Sequence, residues 1–127
     1  MKRTLPRLAP LVLPVVLAAC GGGGSSEPTE TVPAGALVVT AVPSLRFDAE
    51  QYGPAKAGDV TFGYVNEDSV RHTLILAKDG TKVANFKLEI KEKGSVDSGT
   101  VTLEAGTYQL ICDVPGHSNM KATLVVE

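Results

Sequence analysis

Tryptophan is absent from this 127-residue chain, and cysteine, histidine and methionine occur only twice each. So small a supply excludes a framework of several disulfides and any large array of sulfur and imidazole ligands. Aromatic residues make up 5% of the chain, all between Phe47 and Tyr108, where they alternate with aliphatic residues as core fillers do. From Ala36 onward no eleven-residue window repeats at helical spacing. Runs of Lys or Arg are also missing, so nothing forms a phosphate-tracking stripe and nucleic acid is excluded as a partner. The length leaves room for one ordinary domain and excludes a multidomain enzyme.

What is present begins with a processing signal. Lys2, Arg3 and Arg7 form a positive segment, Leu8 to Leu17 a short apolar one interrupted by Pro10 and Pro14, and Ala18 and Ala19 precede Cys20. A membrane span needs about twenty apolar residues, so residues 1–19 read as a secretion signal. The segment Leu17-Ala18-Ala19-Cys20 resembles the lipobox of bacterial lipoproteins. That resemblance implies lipidation of Cys20 and attachment to a membrane on the extracytoplasmic side of the cell envelope, periplasmic or at the outer surface. An ordinary signal peptide cut after Ala19 would instead leave Cys20 as a free thiol. Loss of residues 1–19 removes three of twelve basic residues and none of fourteen acidic ones, leaving nine against fourteen and a formal charge of −5. Such a charge does not favour anionic lipid, so attachment would rest on acyl chains, at about 0.8 kcal/mol per buried methylene.

Residues 20–35, with Gly21 to Gly24, Ser25, Ser26, Pro28 and Pro33, read as a flexible tether with a reach on the order of 20 Å. Residues 36–127 form the folded domain. Short β-branched and aromatic runs broken by turn residues predict strands over Ala36–Val42, Leu45–Asp48, Asp59–Asn66, His72–Ala77, Lys82–Leu88, Val96–Leu103, Thr107–Cys112 and Lys121–Glu127. Asp79-Gly80, Lys93-Gly94 and Ala105-Gly106 mark turns. The expectation is an all-β Greek-key sandwich of seven or eight strands in two packed antiparallel sheets. Val60, Phe62 and Tyr64 should face its core, as should Tyr108, Leu110 and Cys112, while Leu74-Ile75-Leu76 suits a central strand.

Chemistry converges at one place. Cys112, His117 and Met120 share the loop Cys112-Asp113-Val114-Pro115-Gly116-His117-Ser118-Asn119-Met120, and His72 stands at the start of a strand that a sandwich can set beside it. A thiolate, two imidazoles and a thioether form a soft donor set, and His₂Cys with a weak axial Met is the arrangement of blue copper sites. Structural zinc makes poor use of a thioether, and calcium or magnesium needs clustered oxygens that this chain does not offer. Taken singly, His72 fits a surface histidine, His117 a turn residue, Met120 a core filler and Cys112 a small buried thiol. Jointly, in this order and spacing, they point to a metal.

Residues 36–127 resemble the cupredoxins, the small blue copper proteins. Matching segments are Phe47-Asp48, Ala57-Gly58-Asp59-Val60-Thr61-Phe62 and Asn66 ahead of His72, then Ala105-Gly106-Thr107-Tyr108 leading to Cys112, Pro115-Gly116-His117 and Met120. The resemblance implies one type 1 copper ion held by His72, Cys112, His117 and Met120, with Met120, only Ser118 and Asn119 beyond His117, the loosest part of the match. Thr73 stands where family members often carry Asn or Ser, and the backbone N–H groups of Thr73 and Val114 are candidate donors to the sulfur. It also implies a monomer without enzymatic activity whose redox protein partners dock near His117, beside Val114 and Pro115. Copper delivery or sequestration, and a metal-free interaction module, are the competing readings. A thiol enzyme built on Cys112 and His117 lacks a third orienting group, since Asp113 should point away from Cys112 by strand alternation.

Overall fold

Alternating apolar residues along short β-branched segments dictate sheets buried on one face, and the computed structural model has that form over the residues it describes, 31–127. The signal segment, Cys20 and most of the tether lie outside the described residues. Ten strand segments follow in order: β1 (Leu37–Val42), β2 (Arg46–Phe47), β3 (Gln51–Ala55), β4 (Gly58–Asn66), β5 (His72–Lys78), β6 (Thr81–Lys82), β7 (Leu88–Ile90), β8 (Val96–Leu103), β9 (Gly106–Ile111) and β10 (Lys121–Val126). One sheet has the order β2-β1-β4-β8, and the other β3-β10-β9-β5-β6, with β7 paired to β5. The all-β sandwich is as expected, but its sheets are mixed rather than antiparallel, because β1 runs parallel to β4 and β3 parallel to β10.

Two strand expectations need correction. Gln51–Ala55, which contains Gly53 and Pro54 and lies outside the expected strands, forms β3 at the edge of its sheet, where a missing N–H removes no interior ladder bond. The run Lys82–Leu88 is not one strand. It divides into the ends of β6 and β7 around Asn85, whose φ of 61° lies in the left-handed region that asparagine tolerates. The turn at Asp79-Gly80 is as expected, both residues having positive φ and joining β5 to β6 in register Lys78↔Thr81.

The core lies between the sheets. Val60, Phe62 and Tyr64 face it from β4, Tyr108 and Leu110 from β9 with Cys112 just beyond, and all six aromatics are buried. β5 is buried along nearly its whole length, as its two-sided apolar sequence requires. Tyr64 crosses between the layers, its hydroxyl donating to the Thr73 carbonyl at 3.1 Å. Strand β9 lies between β5 and β10, with Ile111 opposite both Ile75 and Lys121. That register brings the start of β5 and the loop before β10 to the same end of the sandwich.

Candidate metal centre

Each donor is placed by the strand or turn beside it. Asn66, at the end of β4, is buried; its Nδ2 donates to the Val70 carbonyl at 2.9 Å and its Oδ1 accepts the Asp68 N–H at 2.9 Å. Those two bonds shape the loop that delivers Asp68 and then His72, the first residue of β5. His72 is fully buried, and its Nε2 lies 2.9 Å from Asp68 Oδ2. With Nε2 protonated to donate to that carboxylate, Nδ1 keeps a free lone pair on the side of Cys112.

The second group comes from the loop between β9 and β10. Cys112 continues the ladder by one bond, its N–H donating to the Met120 carbonyl at 3.3 Å. Two successive turns follow: the His117 N–H donates to the Val114 carbonyl at 3.0 Å, and the Met120 N–H to the His117 carbonyl at 2.9 Å. Gly116, with φ of 88°, occupies the left-handed position that the Pro-Gly turn requires. The loop therefore folds His117 back over Cys112. From Cys112 Sγ the Nδ1 atoms of His72 and His117 are 3.9 and 3.4 Å away, and the two imidazole centroids are 4.9 Å apart.

His72, Cys112 and His117 are all buried, and their three donor atoms lie within 4.8 Å of one another. Donor-to-metal distances of about 2.0–2.3 Å, usual for imidazole and thiolate on first-row ions, set trigonal donors roughly 3.7 Å apart. The spacing observed and the soft donor chemistry both fit a copper ion. Met120, the last residue of the loop, is fully buried and backbone-bonded to Cys112 and His117. Cys20 lies outside the described residues.

Residues 36–127 match the family profile of copper binding proteins, plastocyanin/azurin family. The chain belongs to this family. Auracyanin-A of Chloroflexus aurantiacus is 33% identical over 161 residues, covering 99% of this chain and 99% of that protein. The solved structure of auracyanin A, described as a "blue" copper protein from that green thermophilic photosynthetic bacterium, superposes with a TM-score of 0.60 at 22% identity, covering 72% of this chain and 98% of that one. Amicyanin from Paracoccus versutus superposes with a TM-score of 0.54 at 22% identity, covering 76% and 85%. The protein is a cupredoxin, and its cofactor is copper.

Electrostatics in this cupredoxin favour a neutral His117 imidazole. Burial, and after it the charges of His72 and Arg71, hold the His117 imidazole below its ordinary value against the opposing pull of Asp68. Burial works against charge on Asp68, but the His72 and Ser69 hydrogen bonds and the nearby histidines hold its carboxyl below the usual range. The Thr73 N–H donates to Cys112 Sγ at 3.4 Å, as expected. Among the described residues no such bond comes from the Val114 N–H; Val114 serves the loop through its carbonyl instead.

Sequence reasoning missed Asp68 and the contact between Thr73 and Asp113. The Thr73 hydroxyl accepts the Asp113 N–H at 2.9 Å and lies 2.5 Å from Asp113 Oδ1. Asp113 is engaged by Thr73, and Lys87 and Lys82 reach its other oxygen at 3.2 and 3.8 Å. The Thr73 hydrogen bond, opposed by partial burial and aided by Lys87 and Lys82, keeps its carboxyl below the usual range.

Proposed function

We propose that this cupredoxin carries single electrons between redox proteins of the cell envelope, held at a membrane through lipidated Cys20. The observation that supports it best is the buried His72, Cys112 and His117 set, fixed by strands and two hydrogen-bonded turns. Bound there with Met120 as a weak axial donor, copper would supply a one-electron couple. The chain's own part is to hold the donors still. Asp68 fixes the His72 ring, the Thr73 N–H steadies the sulfur, and the packed sheets resist movement of β5 against β9. Little rearrangement between oxidation states then speeds electron exchange.

His117 is the donor nearest the surface, at 9% exposure, and Pro115 and Gly116 beside it are exposed with Val114 half-buried. A small apolar rim of this kind suits brief docking of a redox partner. Anchoring is supported by the lipobox-like Leu17-Ala18-Ala19-Cys20 segment and the Gly/Ser-rich stretch after it. In the producing cell, the wild-type chain should partition with membranes and Cys20→Ser with the soluble fraction; equal partitioning would remove the anchor from the account. Stopped-flow mixing with a small reductant should reduce the loaded protein far faster than a chelator withdraws its copper. Comparable rates would favour copper delivery.

A further inference from the structure

The Thr73 hydroxyl stands between two acceptors and has one proton to give. Cys112 Sγ is 3.7 Å away and Asp113 Oδ1 2.5 Å, while the hydroxyl oxygen already accepts the Asp113 N–H. Distance decides the contest in favour of the carboxylate. Lys87 and Lys82 hold the far oxygen of Asp113 from the surface side, which keeps the near oxygen on Thr73. As a result the sulfur receives the Thr73 backbone N–H and is denied the hydroxyl of the same residue.

We propose that Asp113 is a positioning residue that withholds the Thr73 hydroxyl proton from the Cys112 sulfur and thereby holds the reduction potential of the centre down. The proposal rests on the copper reading of the site and goes beyond it by assigning a tuning role to a carboxylate that touches no donor atom. A hydrogen bond to the thiolate withdraws electron density from it and favours the reduced metal, so a freed hydroxyl raises the potential. Loss of the carboxylate's negative charge acts in the same direction. The two contributions separate because only the first requires the hydroxyl.

The test is a double-mutant cycle in the copper-loaded full-length protein, reading the reduction potential and the copper–sulfur stretching frequency by resonance Raman. D113A should raise the potential in the wild-type background and raise it clearly less in the T73V background, where charge alone is lost. The stretching frequency should change with D113A only when Thr73 is present. D113N, which keeps an oxygen acceptor for the hydroxyl, should give a smaller rise than D113A and serves if D113A folds poorly. Equal shifts in both backgrounds, or no shift, would overturn the proposal. A wild-type protein without a thiolate–copper absorption band would instead overturn the copper reading, before any variant is made.

Discussion

Asp68, hydrogen-bonded to His72, shows how much this site depends on a side chain outside the donor set. The carboxylate fixes which imidazole nitrogen is protonated, so Asp68→Ala is expected to weaken copper binding by about 10–100-fold while leaving the sandwich folded. Competition against a chelator of known affinity checks it; unchanged affinity would deny Asp68 an orienting role. Met120→Leu should raise the reduction potential and leave the thiolate–copper band in place if the thioether is a weak axial donor. The cluster of His72, Cys112 and His117 was legible in the sequence because Cys and His are scarce enough for their spacing to carry information. Asp68 and Asp113 were not, because they belong to a set of fourteen acidic residues, and each acquires its role only when a loop closes.

Among the strands, β3 is the element whose position the sequence least revealed. Gly53 and Pro54 oppose a strand assignment, and only the free edge beside β10 makes one possible. Gly53 has φ of 90°, and a Cβ there would lie 2.6 Å from the Val125 carbonyl oxygen. Gly53→Ala should therefore cost about 1–3 kcal/mol in urea unfolding, with the visible spectrum of the loaded protein unchanged. Parallel pairing of β1 with β4 was equally hidden, since inward alternation looks the same in either direction. The same edge carries a pH dependence. Burial, then the hydrogen bond to Asp48 and its charge, raise the Tyr52 phenol well above its ordinary 10.0, and burial raises Tyr64 likewise. Above pH 10 the unfolded chain loses protons that the folded chain keeps, so stability should fall as pH rises. Tyr52→Phe removes one of these contributions and should make that fall shallower in thermal melts; an unchanged slope would contradict the assignment.

At the scale of the whole molecule, the fold serves to bring the start of β5 and the β9–β10 loop to one end of a sandwich whose register is set elsewhere. Core residues such as Leu74, Leu110 and Leu124, all fully buried, hold that register, and truncating any of them to Ala should cost about 2–5 kcal/mol. The two-layer core was legible because alternation and turn residues recur along residues 36–127, and the metal site because its donors converge on one loop. The central claim is that His72, Cys112 and His117 together hold copper through a thiolate. Adding one equivalent of Cu(II) to the purified protein and recording its visible and EPR spectra tests this most directly. An intense thiolate-to-copper band that is absent from Cys112→Ser is the predicted result, and its absence from the wild type, or its persistence in Cys112→Ser, would contradict the account.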